Sequence, residues 1–322
     1  MMTMINELLT DYDRVCLTKK AYEGLNVGDD FVVNGKLIGR IVRDVYAQDG
    51  MQAYVIENQA GRRDEVTVLF KGSSGLRNGN ATTWRDEWLN TNWPIFVAML
   101  TSRPKLPSAL KTASSYLNKW LVEFPDAIFY IYGHSLGAIN AAYALANCRH
   151  PSQIGAAYLY EGTNIWRLLT RRQRQVAGQM RHKINTYVDI YDPVTLGYTA
   201  THKMVGKLHY VDSLPISPIK QHMWGGYRFD DQGRLLEKEV DSRFLQSSQM
   251  QTRFLSGTSE LAQFLSGKDE YRVSDWKKIT SQKLTQVKDR VFNQTFLKDF
   301  EGQDQKLKKE IDQLKQKDEK DE

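Results

Sequence analysis

The chain has 322 residues and a mass of 37.1 kDa, the length of two average domains or of one large α/β domain with an appendage. Hydrophobic residues make up 41% and charged residues 25%, ordinary globular usage that excludes wholesale disorder. The two cysteines, Cys16 and Cys148, exclude a disulfide framework and, with no C-x-x-C pair, a cysteine-built zinc site; two free thiols are the default.

The net charge is +6, with a sequence pI near 9.0, and the basic residues are scattered. The densest cluster, Arg167 to Arg174, reads as a solvated helix face or as a patch for an anionic surface. No nucleic-acid-binding motif is present, so no nucleic-acid partner is expected. No run approaches the ~18 apolar residues that span a bilayer. The start, M-M-T-M-I-N-E-L-L-T-D-Y-D-R, has acidic residues where a signal peptide needs a basic region. The expected location is the cytoplasm, or outside the cell by an unconventional export route.

In chain order, Lys36 to Ala47 and Met51 to Glu57 read as strands around a hairpin turn at Gln48-Asp49-Gly50, where Asp-Gly supplies positive φ. Glu65 to Phe70 (E-V-T-V-L-F) is a dense β-branched run, as in a buried central strand. Leu106 to Phe124 is an amphipathic helix with Leu110, Ala113, Leu117 and Leu121 at three- and four-residue steps, closed by Pro125. Ala127 to Tyr132 is a strand, Ala138 to Cys148 a buried alanine-rich helix, Ile154 to Tyr160 a strand, Trp166 to Met180 a helix and Lys183 to Tyr191 a strand. This alternation predicts an α/β fold, a mostly parallel sheet with helices on both faces.

A compact domain is expected over residues 1–245. After Phe244 the character changes: residues 246–322 hold 15 Lys and Arg against 14 Asp and Glu, with short apolar stripes that predict a helical extension and a fraying tail over the last stretch. This extension is a candidate for docking a helical protein partner.

Chemistry enters at Gly133-His134-Ser135-Leu136-Gly137, the G-x-S-x-G pattern placed between a strand and a helix. A serine at such a turn is held in a strained backbone conformation that lifts its hydroxyl off the sheet. Glycines two before and two after are needed because a Cβ there would collide with neighbouring chain. The helix start contributes a partial positive charge and the Leu136 N–H for a developing oxyanion. At the end of the preceding parallel strand, Phe70-Lys71-Gly72-Ser73-Ser74-Gly75 is the loop from which a second oxyanion donor is expected, the Ser73 N–H, with its hydroxyl as a further donor.

These two motifs resemble the class 3 (fungal triacylglycerol-type) lipases, whose F-R-G-S/T oxyanion loop precedes a lid and a G-H-S-L-G elbow, and the likeness reaches a bacterial branch of lipase-like proteins. It spans roughly residues 35–235, with Lys71 in place of the family's usual arginine. The resemblance implies an α/β-hydrolase fold and a serine ester hydrolase, a lipase or phospholipase acting through an acyl-enzyme, with no metal or organic cofactor. It assigns the acid to Asp192, whose Asp192-Pro193-Val194 matches the family's D-P-V/I element. Asp189 in the same stretch competes, and the bend at Pro193 favours Asp192. The histidine must come last in the chain. His222, before Gly225 and a terminal strand expected at Tyr227 to Asp230, looks like the family's loop histidine. His209, inside the apolar run L-H-Y-V, is the alternative and reads otherwise as a packed strand residue. His134 points away from the serine hydroxyl within the elbow.

In the resembling lipases the segment after the oxyanion loop is a mobile lid. Here Leu76 to Val97 carries Trp84, Trp88, Trp93 and Phe96, which suits a lipid surface or, failing that, a cap on the core. Two other classes stay open. One is a non-catalytic binding module on a hydrolase fold. The other is an exported lipase effector whose C-terminal helices bind a secretion or chaperone partner, since Tyr271-x-x-x-Asp275 resembles a tail signal of some Gram-positive specialised secretion systems.

Overall fold

The computed structural model describes residues 4–59, 62–72, 106–245 apart from positions 193, 196, 199, 215, 217 and 243, and residue 248. Ser73, Leu76, Trp84 and Trp88, the last three expected in a lid, and the extension 246–322 except Ser248 therefore lie outside the described residues.

Eight strands form one sheet in sequence order: β1 (Asp30–Val33), β2 (Lys36–Tyr46), β3 (Gln52–Gln59), β4 (Arg62–Phe70), β5 (Ile128–His134), β6 (Ile154–Tyr160), β7 (Ile184–Val188) and β8 (Lys207–Tyr210). β1 to β4 pair antiparallel, and from β4 to β8 every pairing is parallel. The β2–β3 turn uses Gly50 at φ 85°, as the Asp-Gly signal requires. With its crossover helices and a strand–turn–helix at Ser135, this is an α/β-hydrolase fold.

The helices cover both faces, unequally. Because successive parallel strands are neighbours and such crossovers are right-handed, the connecting helices fall on one face. They are α2 (Ser108–Glu123), α3 (Leu136–Ala146) and α4 (Arg171–Gln179). Val66, Val68 and Phe70 of β4, Phe129 and Ile131 of β5, and Ala157 and Leu159 of β6 pack against them. Every residue of α3 from Gly137 to Ala146 is buried, which its alanines allow at close range. The opposite face of the same strands is tyrosine-rich, with Tyr130, Tyr132, Tyr158, Tyr160 and Tyr187. It is covered by the N-terminal helix α1 (Asp11–Lys19) and by the segment carrying Val211, Trp224, Tyr227 and Leu235.

Three expected elements differ. The helix expected over Trp166 to Met180 is a 3₁₀ turn (Trp166–Leu168) followed by α4, because Thr170 caps a new helix with Gln173 in a reciprocal capping box. The strand expected to reach Tyr191 ends at Val188, since the Asp189 side chain accepts the Tyr191 N–H at 2.9 Å and turns the chain. The terminal strand expected at Tyr227 to Asp230 forms only single-residue bridges, Ser213 with Tyr227 and Phe229 with Leu235. Both cysteines are free. Among the described residues no helix is long and apolar enough to cross a membrane.

Candidate active site

Parallel pairing of β4 with β5 runs from Glu65 opposite Ile128 to Phe70 opposite Gly133. This register sets the start of the loop Lys71-Gly72 beside the elbow His134-Ser135. The turn is as tight as its glycines imply. A Cβ on Gly133 would lie 2.6 Å from the Gly137 carbonyl oxygen, and one on Gly137 would overlap the Phe70 carbonyl. Ser135 sits at φ 57°, ψ −126°, and its N–H is held by the Tyr160 carbonyl of β6 at 2.9 Å. Leu136 is the first residue of α3, where N–H groups lack an intrahelical acceptor and the helix dipole favours negative charge.

The acid and base candidates arrive on loops at the same edge of the sheet. Asp192 follows β7, and His222 ends the short helix α5 (Pro218–His222). His222 Nδ1 lies 2.8 Å from Asp192 Oδ2, and both residues are buried. The other Asp192 oxygen accepts the Val194 N–H at 2.7 Å, which holds the carboxylate in place. The His222 ring is 4.6 Å from the ring of His134, the neighbour of Ser135. Ser135 Oγ is buried and makes no hydrogen bond among the described residues. The aspartate–histidine contact is thus formed and the histidine–serine contact is open, a contact that in many hydrolases tightens only when substrate binds.

The alternatives are engaged elsewhere. Asp189 accepts the Gln221 side-chain amide and the Tyr191 N–H rather than an imidazole. Burial pushes its carboxyl up to about 6, against hydrogen bonds from Ser213, Tyr191 and Gln221. His209 lies on β8 with both ring nitrogens used, by Glu237 at 2.8 Å and Asn185 at 3.0 Å, and its ring stacks on Tyr187.

The sequence reading missed Glu161. It follows β6 at φ 51° with no exposure, and accepts hydrogen bonds from the Tyr227 hydroxyl, from Thr195 Oγ1 at 2.8 Å and from the Asp189 N–H at 3.3 Å. Burial, then the charges of Asp192 and Asp189, holds its carboxyl well above the usual range. The available signal was an acid directly after the apolar strand I-G-A-A-Y-L-Y, at the sheet edge where ligands bind. Trp224, two residues after His222, is the third strained residue, at φ 60°. Of four non-glycine residues with positive φ among those described, Ser135, Glu161 and Trp224 surround this site. Strain of this kind costs about 1–3 kcal/mol per residue and persists where surrounding structure enforces it, commonly at functional sites. No group of three or more His, Cys, Asp or Glu among the described residues is arranged to hold a metal ion.

No protein-family model and no curated protein matches the chain. Among solved structures it is similar to a Rhizomucor miehei lipase in its propeptide complex, at 15% identity over 64% of this chain and 68% of that one, with a TM-score of 0.41. It is also similar to a triacylglycerol lipase from Penicillium expansum, at 16% identity over 67% of this chain and 84% of that one, with a TM-score of 0.41.

Proposed function

We propose that the protein is a serine carboxylic-ester hydrolase in which Ser135 is the nucleophile, His222 the general base and acid, and Asp192 the residue that orients His222. The observation that carries this reading is the 2.8 Å contact between the buried Asp192 carboxylate and His222 Nδ1, set behind a serine held at φ 57° between a parallel strand and a helix. An acceptor on Nδ1 leaves the lone pair on Nε2 for the serine proton and stabilises the imidazolium formed during attack.

The steps follow from these roles. His222 removes the Ser135 proton as Oγ attacks the acyl carbon. The negative oxygen forms beside the Leu136 N–H at the start of α3, with the Ser73 N–H as the second donor. His222 then protonates the leaving alcohol, and water repeats the sequence on the acyl-enzyme. The substrate assignment, a lipid or phospholipid ester at a membrane surface, rests on the tryptophan-rich segment containing Trp84 and Trp88 after the oxyanion loop.

The test is hydrolysis of esters of increasing acyl length, and of phospholipid vesicles, by the wild type and by Ser135→Ala. Activity that rises with chain length and falls by about 10⁴-fold or more in the variant is expected. Activity confined to short soluble esters would remove the lipid assignment and leave an esterase. No hydrolysis, together with no labelling of Ser135 by a fluorophosphonate, would leave a binding module on a hydrolase fold.

A further inference from the structure

His134, the residue before the serine, is buried with both ring nitrogens committed. Its Nε2 lies 2.7 Å from the backbone carbonyl oxygen of His222. A carbonyl only accepts, so Nε2 carries the hydrogen. Nδ1 then holds a lone pair and accepts the Tyr22 O–H at 2.6 Å. The Tyr22 hydroxyl also lies against Gly72, where it would stand 2.2 Å from a Cβ on that glycine. Burial, then the neighbouring His222, holds His134 well below the usual histidine range, so the ring stays neutral in this one tautomer.

From these contacts, and resting on the hydrolase reading above, we infer that Tyr22 and His134 are positioning residues for the reaction. They form a single line of donors, Tyr22 O–H to His134 to His222 C=O. That line joins the turn after α1, the serine elbow and the histidine loop. Its end point gives it its consequence. By gripping the His222 backbone instead of its ring, His134 fixes where the imidazole starts while leaving Nδ1 to Asp192 and Nε2 to the serine.

The surroundings are shaped to this line. A Cβ on Gly72 would overlap the Tyr22 hydroxyl, which gives the glycine of Lys71-Gly72-Ser73 its own reason. The Trp224 ring covers His134 at 3.9 Å between centroids, and Lys19 Nζ sits 5.6 Å over that indole. Neither Tyr22 nor His134 reaches the reacting atoms. Their effect is on geometry, and errors of the order of 1 Å at a reacting centre cost up to about 100-fold in rate.

The experiment compares wild type with Tyr22→Phe, His134→Leu and His134→Gln. It follows the labelling rate of Ser135 by a fluorophosphonate, kcat and KM on a soluble ester, and the thermal midpoint. Tyr22→Phe and His134→Leu are expected to label about tenfold or more slowly and to lose kcat by the same factor with KM unchanged. His134→Gln, whose amide N–H can reach the His222 carbonyl, is expected to recover most of that rate. If His134→Leu does not fold, Tyr22→Phe decides alone, since it removes one hydroxyl and keeps the ring. Labelling and kcat in Tyr22→Phe equal to wild type would overturn the inference, as would a change confined to KM. A wild type that does not label at all would instead overturn the hydrolase reading on which it rests.

Discussion

A carboxyl buried beside two others has to be neutral or paired, and among the described residues Glu161 is paired with hydroxyls and a peptide N–H. Burial, then Asp192 and Asp189, raises its carboxyl well above the usual range and so favours the neutral form. The hydroxyls of Tyr227 and Thr195 can each donate or accept, so they adapt to a protonated carboxyl or to an amide. Glu161→Gln is therefore expected to fold and to keep Asp192 against His222. Glu161→Ala leaves two buried hydroxyls unpaired beside a void and is expected to cost about 2–4 kcal/mol. The pH dependence has a definite sign. A carboxyl raised above its ordinary 4.5 in the fold stabilises the protein fully at low pH, and that contribution is lost as pH rises through the folded value. Asp189, raised to about 6, acts in the same direction. Urea unfolding across pH should show stability falling as pH rises in wild type, and a shallower fall in Glu161→Gln. An identical slope in both proteins would mean that folding does not raise the Glu161 carboxyl.

At the scale of elements, the parts legible in the sequence are those where packing and local signals agree. β4, β5 and β6 are apolar runs buried on both faces, and the elbow between β5 and α3 was marked by its glycines. α1 was not legible. Its sequence D-Y-D-R-V-C-L-T-K has no apolar stripe, and it buries Asp13 and Thr18 along with Val15 and Leu17. What starts it is the reciprocal capping box between Thr10 and Asp13, a signal outweighed by the charges around it. Lys36 at 2.6 Å and Asn34 at 2.9 Å then complete the Asp13 carboxylate. Burial opposes its ionisation, but these partners and Thr10 bring it down to about 2. Thr10→Ala is expected to lose about 1 kcal/mol, read as a lower thermal midpoint. Because Tyr22 hangs from the end of α1, the same variant should also slow fluorophosphonate labelling of Ser135. Tyr22 itself and the His134 contacts had no signal in the sequence, since they join residues 112 positions apart. Of the candidate site, the serine was legible from its local pattern, and Asp192 from the Asp-Pro-Val stretch it opens. Glu161 was not, because its partners come from two separate loops.

At the scale of the whole molecule, the sequential strand order has a cost. Placing the crossover helices among the described residues on one face leaves the tyrosine-rich face to be closed by the two ends of the described chain. The N-terminal stretch is anchored by a buried polar set. Asn6 donates to Glu65 Oε1 through its backbone at 2.9 Å and its side chain at 2.7 Å, while the Tyr132 hydroxyl donates to Asn6 Oδ1 at 2.7 Å. Glu65→Ala would leave the buried Asn6 N–H unpaired, at about 1–3 kcal/mol, while the Asn6 side-chain amide keeps Thr67 Oγ1 at 2.9 Å. The far end then locks onto the near one. The Tyr12 N–H donates to the Gly233 carbonyl at 3.0 Å, the Leu235 N–H donates to Asp11 at 3.0 Å, and the Tyr12 and Phe229 rings meet edge to face at 5.3 Å. Trp224 and Tyr227 belong to the same closing segment, so the histidine loop is held through this junction as well as through Asp192. Tyr12→Ala removes the ring contact, worth about 1 kcal/mol, without touching the site. Hydrogen exchange should then show faster exchange at the amides of Tyr12 and Leu235 together, and also at Tyr227, while Ile131 in the centre of the sheet keeps its protection. Loosening at Tyr12 alone would mean that the two ends cover this face independently.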